Sequence, residues 1–144
     1  MVDVDHFKSV NDRYGHLIGD EVLLLIARIL RNTFRHDDRL YRFGGEEFVV
    51  LARAVDAAAA GSAFERLRCN VEGFPFPQVG RITVSVGYTS VREHDTPSDA
   101  FERADRAVYL AKAQGRNQVR GYETDVQTGE PEAHRGQGGD VELF

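Results

Sequence analysis

Two glycines followed by two glutamates, Gly44-Gly45-Glu46-Glu47, stand between the apolar runs Leu40-Tyr41-Arg42-Phe43 and Phe48-Val49-Val50-Leu51. Flanks rich in β-branched and aromatic residues around a two-residue Gly-Gly link predict a tight β-hairpin. That hairpin sets two carboxylates beside a turn without side chains. Backbone can then approach a polyphosphate closely, while hard oxygen donors hold its cation. Taken alone, the motif also reads as an ordinary hairpin with a solvated acidic shoulder. A second carboxylate position, in Asp3-Val4-Asp5-His6-Phe7-Lys8, favours the chemical reading. There a strand end offers Asp3 and an exposed backbone carbonyl to a cation. Magnesium commonly takes one or two carboxylates plus substrate phosphates. Asp3 and Glu46 supply that pair if the first strand lies beside the hairpin.

The elements that must hold these groups are legible from periodicity. Residues 1–4 read as the end of a strand and residues 6–13 as a short helix closed by Tyr14-Gly15. Asp20 is expected to cap a long helix whose buried stripe is Val22, Ile26, Ile29, Leu30 and Phe34. The hairpin strands fall at 39–43 and 46–52, followed by a helix over about 56–71 and a loop at Phe74-Pro75-Phe76-Pro77. Alternation of Ile82, Val84 and Val86 predicts a half-buried strand over 81–90. A helix over 98–113, stopped by Gly115, and a strand over 117–122 complete the order β-α-α-β-β-α-β-α-β. Mixed hairpin and crossover connections imply one mostly antiparallel sheet with helices packed against it.

Composition bounds the function classes. At 144 residues, 42% hydrophobic and 28% charged, the chain is expected to be one globular domain. Its longest apolar run, residues 22–27, is too short to span a membrane, and no secretory leader is legible, so a cytoplasmic location is expected. The lone Cys69 leaves no internal disulfide and no multi-cysteine metal site. Residues 1–122 carry 17 acidic and 17 basic side chains, whereas residues 123–144 carry six acids against Arg135. The net charge of −5 therefore belongs to an expected flexible tail over 123–144, in which only Val141, Leu143 and Phe144 look able to dock. Neither a nucleic acid nor a membrane is implied as a partner. Of the basic residues only Lys8 and Lys112 are lysines, and both fall inside the motifs below.

The stretch D-V-D-H-F-K-S-V-N-D-R-Y-G-H-L-I-G-D-E-V-L from residue 3, then R-F-G-G-E-E-F, I-T-V-S-V-G and A-D-R-A-V-Y-L-A-K-A-Q-G-R-N-Q-V, resembles the GGDEF domain of bacterial diguanylate cyclases. Four separated blocks in the family's order cover nearly all of residues 1–122. The resemblance implies an α+β, palm-like nucleotidyl-cyclase fold with a central five-stranded sheet. It also implies condensation of two GTP into cyclic di-GMP and pyrophosphate, with Mg²⁺ as cofactor and Mn²⁺ as the alternative ion.

Carried over position by position, the resemblance makes Asp3, Glu46 and the Val4 carbonyl the metal ligands. Glu46 also matches the residue that helps deprotonate the attacking 3′-hydroxyl, and Lys8 a phosphate-contacting lysine. A bound cation would keep both carboxylates ionised although each raises the other's pKa. Glu47 is expected on the other strand face, with a supporting electrostatic role at most. Asn11 and Asp20 match guanine-reading positions, where a carboxylate accepts from the base N1–H and amino group. His16 matches a position near the nucleotide, and Phe7, Gly44 and Gly45 are among the residues expected to bind GTP. Lys112 and Arg116, four apart at a helix end, are expected on one helix face, clamping the β- and γ-phosphates. Their everyday alternative is a pair of cations complementing a helix dipole.

Arg35-His36-Asp37-Asp38 fits the family's inhibitory R-x-x-D, which implies a product site at Arg35 and Asp38 with Arg66 joining from the next helix. The alternative is a cation at a helix end followed by a turn acid. The resemblance also implies a helix with an L-T-G-L-x-N-R-R-like segment, and most of the first strand, ahead of Asp3. The chain is therefore expected to be N-terminally clipped, with no sensor, receiver or coiled-coil segment before it. Because the reaction needs two GTP-loaded sites face to face, a second copy of the domain is the expected partner. Besides the cyclase, two readings stay open. One is a cyclic di-GMP-binding module with little or no cyclase activity. The other, disfavoured by Asn11 and Asp20, is a nucleotidyl cyclase of different base choice.

Overall fold

Val2 and Val4 flank Asp3 in the middle strand of the sheet, and this alternation sorts the whole molecule into two faces. A computed structural model describes residues 1–53 and 56–128. The elements are β1 (Val2–Val4), α1 (Phe7–Tyr14), α2 (His16–Thr33), β2 (Arg39–Arg42), β3 (Glu47–Leu51), α3 (Ala57–Glu72), β4 (Val84–Tyr88), α4 (Pro97–Ala113) and β5 (Gln118–Gly121), followed by a π-helical turn, Tyr122–Val126. The strands form one sheet in the order β2-β3-β1-β4-β5. Every pairing is antiparallel except β4 with β5, so the expected mostly antiparallel sheet is the one observed.

One face carries Val2, Val4, Phe48, Val50, Val84 and Val86, which pack with Val22, Ile26 and Leu30 of α2 and Phe64, Leu67 and Val71 of α3. Fully burying each aliphatic side chain contributes about 1.5–3 kcal/mol, so this face dominates stability. On the other face Met1 and Val49 pack with Ala104 and Val108 of α4. Here α4 lies directly on the sheet: a Cβ on Gly87 would stand 2.3 Å from the Ala104 carbonyl and 2.4 Å from the Val108 nitrogen. Gly87 is a glycine because helix backbone occupies the place of its side chain. Strand β4 is consequently buried on both faces, not half-buried as its alternation suggests.

Local chemistry explains most boundaries. Asp56 caps α3 by accepting from Ala59 N–H, and Thr96 with Asp99 forms a capping box at the start of α4. Helix α2 begins at His16, with Gly15 (φ 87) as its N-terminal boundary, so Asp20 lies inside the helix and does not cap it. The hairpin link is three residues, Gly44 to Glu46. Register pairs Arg42 with Phe48, and Phe43 N–H donates to the Glu47 carbonyl at 2.8 Å. Neither Gly44 nor Gly45 adopts a positive φ, so this is not the primed two-residue turn that the sequence suggests.

The expected tail boundary at 122 falls inside ordered structure. Val126 is buried, Asp125 accepts from Gly121 N–H at 2.7 Å, and Glu123 accepts from Thr89 Oγ1 at 2.6 Å. Val141, Leu143 and Phe144, named above as docking residues, lie outside the described residues.

Candidate active site

The strand end that carries Asp3 also carries the hairpin loop. Val4 N–H donates to the Glu46 carbonyl at 3.1 Å, tying β1 to the loop. Among the described residues no hydrogen bond returns from Glu46 N–H to the Val4 carbonyl, which leaves that oxygen open at the loop. Asp3 is buried and pairs in register with Glu47 on one side and Ser85 on the other. Residues directly opposite in a sheet share a face. Glu47 therefore faces Asp3, and the expectation that it points the other way is corrected. The cause is the loop length: Glu46 belongs to the link, so Glu47 is the first strand residue.

Electrostatics couple the three acids. Burial, partly offset by its hydrogen bond to Lys112, raises the Asp3 pKa. Glu46 is raised by burial first and by the Asp3 charge second. Glu47 is raised by burial and then by Asp3 and Asp105. The counter-charge is Lys112, in the last turn of α4, whose Nζ donates to Asp3 Oδ2 at 2.8 Å. Among the described residues no group of three or more acidic, His or Cys side chains is arranged to hold a metal by itself. Asp3, Glu46 and the open Val4 carbonyl are nevertheless a hard-oxygen set. Magnesium, which keeps waters and takes substrate phosphates, suits such a partial set.

The base-reading candidates sit just beyond. Asn11 of α1 packs over α2 at Gly19, where an added Cβ would lie 1.9 Å from Asn11 Oδ1. That oxygen is buried without a hydrogen-bond partner, one residue along from the exposed Asp20. A buried acceptor left unpaired is costly, so turning the amide out toward a ligand's donor beside Asp20 would be stabilising. Phe7 is a core residue, 6% exposed, so its ring is packed inward at the start of α1. Lys8 and His16 are exposed, at the first turns of α1 and α2.

Arg116 is not on the α4 face shared by Lys112. The helix ends at Ala113, and Gly115 (φ 115) reverses the chain. Arg116 N–H returns to the Ala111 carbonyl at 2.9 Å and Gly115 N–H to the Lys112 carbonyl at 3.3 Å, the Schellman pattern. Arg116 follows in left-handed backbone, exposed, four residues from Lys112 but beyond a turn. Arg42, which the sequence did not single out, braces the loop from the solvent side. Its Nε and Nη2 donate to the Gly44 and Gly45 carbonyls at 3.1 and 2.8 Å.

The R-x-x-D motif lies at the other end of β2, about 13 Å of strand away. Asp38 accepts from the Arg35 and Arg53 backbone N–H groups at 2.9 and 3.2 Å, the work of a turn acid. Arg31, Arg35, His36, Asp38, Arg39 and Tyr41 line a cleft of about 520 Å³. Arg66 is turned to α2, donating to the Thr33 carbonyl at 3.2 Å, and is not part of that lining. A larger cavity, about 580 Å³, opens between α3 and α4 at the far end of the sheet. Its mostly apolar lining includes none of the candidate residues.

Similarity to known proteins converges on one family. The model for "Diguanylate cyclase, GGDEF domain" matches residues 1–118. Diguanylate cyclase DgcP of Pseudomonas aeruginosa is 45% identical over 122 residues, covering 83% of this chain and 18% of that protein. Response regulator PleD of Caulobacter vibrioides is 43% identical over 127 residues, covering 84% of this chain and 28% of PleD. The chain thus spans a third or less of these relatives. Among solved structures, the GGDEF domain of DgcB from Caulobacter crescentus in complex with c-di-GMP superposes with a TM-score of 0.80 at 32% identity. That match covers 85% of this chain and 75% of the DgcB chain. The active GGEEF domain of a diguanylate cyclase from Vibrio cholerae gives 0.78 at 32% identity, covering 84% and 79%.

Proposed function

The chain belongs to the GGDEF domain family of diguanylate cyclases, and from that premise we propose that it condenses two GTP into cyclic di-GMP and pyrophosphate. The observation that carries this reading is the convergence at one sheet end of Asp3, Glu46, the open Val4 carbonyl and the Lys112 ammonium. Asp3, Glu46 and Val4 would hold Mg²⁺, with Mn²⁺ as an alternative ion. When bound, the cation supplies Lewis-acid polarisation of the α-phosphate and acidification of the 3′-hydroxyl.

The chain's own residues do the remainder. Asn11 and Asp20 read the guanine, Asn11 through the acceptor that has no partner within the protein. Lys8, Lys112 and Arg116 neutralise phosphate charge. Glu46 accepts the 3′-hydroxyl proton. Without a cation, burial and then the Asp3 charge raise its pKa; a bound cation would oppose that shift and keep the carboxylate ionised, the form that can accept a proton. Each 3′-hydroxyl must attack the α-phosphate of the other GTP, so a second copy facing this site completes the reaction centre. No described helix is long and apolar enough to cross a membrane, and the reading assigns the reaction to cytoplasmic GTP.

A second reading, cyclic di-GMP capture at Arg35 and Asp38, is favoured by the arginine-lined cleft and by the c-di-GMP in the DgcB complex. It accompanies catalysis as product inhibition or replaces it in a binding module. Incubation with GTP and Mg²⁺ followed by chromatography separates these. Cyclic di-GMP should form, and Glu46→Gln should lower its rate about 100-fold or more, the usual scale of a general base. Full activity in the variant would refute the role of Glu46. Cyclic di-GMP binding without turnover would leave only the binding module.

A further inference from the structure

Asp5 is a buried carboxylate that the reaction above does not use, and it is bonded from three directions. Thr83 Oγ1 donates to its Oδ2 at 2.7 Å and Ser85 Oγ to its Oδ1 at 2.6 Å, both from the β4 side. Its third donor is the Asn117 backbone N–H, at 3.0 Å from Oδ2. Asp5 N–H in turn donates to the Thr83 carbonyl at 2.9 Å, fixing its own backbone. Asn117 is held from the other side by α3: Arg68 Nη1 donates to its Oδ1 at 2.9 Å, and its Nδ2 donates to Glu72.

These bonds surround an unfavourable piece of backbone. Arg116 and Asn117 are consecutive non-glycine residues at φ 64 and φ 46. Left-handed backbone is disfavoured for a residue with a Cβ, least so for Asn. Such conformations persist only where the surroundings over-determine them, and they gather at ligand clamps. The surroundings here are specific. The Schellman bonds fix the Arg116 N–H on one side, and Asp5 with Arg68 and Glu72 fixes Asn117 on the other. Gln118 Nε2 donates to the Arg116 carbonyl at 3.0 Å, and the Arg116 residue is exposed.

We propose that Asp5 is a positioning residue for triphosphate binding: it locks the Arg116-Asn117 corner so that the Arg116 guanidinium is held ready for the terminal phosphates. Resting on the GTP reading above, this explains why one strand end carries two acids with different duties. Asp3 faces the hairpin loop and Lys112. Asp5, two residues on, turns to β4 and the corner after α4. The carboxylate at β1, the Lys112 ammonium in the last turn of α4 and the Arg116 guanidinium just after it are thereby linked through the two-residue step from Asp3 to Asp5.

The test is equilibrium binding of GTP and of GMP to the full chain and to Asp5→Asn, Thr83→Val and Arg116→Ala. GMP shares the base and α-phosphate but lacks the phosphates that Arg116 would reach. Arg116→Ala should weaken GTP about tenfold and leave GMP unchanged, as loss of one charge-assisted contact does. Asp5→Asn should show the same selective loss, and Thr83→Val a smaller one of about threefold, because it removes one of the clamp's donors. If Arg116→Ala discriminates but neither clamp variant does, the positioning role of Asp5 is overturned while the GTP reading stands. Failure of Arg116→Ala to discriminate overturns the assignment of Arg116 itself. Equal weakening of both nucleotides in Asp5→Asn and Thr83→Val would mean a general structural role and would overturn the proposal. Thr83→Val keeps the test open if Asp5→Asn does not fold.

Discussion

Lys112 Nζ stands 2.8 Å from Asp3 Oδ2, joining the last turn of α4 to the central strand across 109 residues of chain. The pair is one-sided in exposure, with Asp3 buried and Lys112 about one-third exposed at its side chain. Its removal should therefore cost less than breaking a fully buried pair and more than a surface one. We expect Lys112→Ala to destabilise the fold by about 1–2 kcal/mol at pH 7.5, between those limits. At pH low enough to protonate Asp3 the loss should vanish, because the neutral acid needs no counter-charge. Urea denaturation of both proteins at the two pH values checks this, and an equal loss at both would rule it out.

The pKa values of Asp3, Glu46 and Glu47 are all raised, chiefly by burial, and this sets a pH dependence of stability. In the window between the ordinary carboxylate range and the raised folded values, the unfolded chain has lost protons that the folded one keeps. The folded state then binds more protons, so stability falls as pH rises through that window. The contribution is fully present below the unfolded values and lost above the folded ones. The buried Met1 ammonium, lowered to about 5, contributes in the opposite sense over this range, so in EDTA it is the melting temperature relative to variants lacking one of the acids that should decline from weakly acid to neutral pH. Added Mg²⁺ should restore it most at neutral pH, where the acids are ionised. Glu47→Gln should remove part of that decline, since it removes one acid from beside Asp3. A profile that rises with pH and is unaffected by Glu47→Gln would contradict the coupling.

At the opposite end of β2, Arg35 is exposed in the cleft whereas Asp38 is occupied with backbone N–H groups. Arg35→Ala should thus weaken cyclic di-GMP about tenfold and relieve product inhibition without changing stability. Asp38→Ala should do both harms, because the turn loses its acceptor. Arg66→Ala should act through the α2 terminus it caps at Thr33, and affect stability more than affinity. Isothermal titration with cyclic di-GMP, alongside thermal unfolding, separates the three. Unchanged isotherms for Arg35→Ala would remove the product site from this cleft.

The candidate site was legible in the sequence as far as it depends on residue types at element ends. Asp3 before a helix, Glu46 after two glycines and Lys112 in a last helical turn are visible without coordinates. What escaped were geometric consequences of single residues. One extra residue in the hairpin link moved Glu47 onto the Asp3 face. The positive φ of Gly115 took Arg116 off the helix face that i, i+4 spacing would give it. Gly15, not Asp20, sets the start of α2, since backbone freedom outweighed a favourable capping side chain. Burial of β4 on both faces had only Gly87 as its sign, and a strand glycine has several meanings. Asp5 and Asn117 carried no signal as a pair, because contacts across 112 residues leave no local pattern.

Gly19 offers the sharpest separation of fold from recognition. A methyl group there would meet Asn11 Oδ1 at 1.9 Å and the Phe7 ring at 3.2 Å. The first neighbour is the far end of a flexible side chain, and the cost of turning Asn11 aside is offset by the preference of helix for alanine over glycine, about 0.8–1 kcal/mol. Gly19→Ala should therefore leave stability within about 1 kcal/mol of the parent. The displaced amide, however, no longer offers its acceptor next to Asp20. Discrimination of GTP over ATP should fall about tenfold or more, the scale expected when a hydrogen-bonding group of a reading site is misplaced. Competition binding with the two nucleotides, run beside urea denaturation, measures both quantities on one preparation. Retained discrimination with retained stability would mean that Asn11 does not read the base, and would shift that task to Asp20 alone.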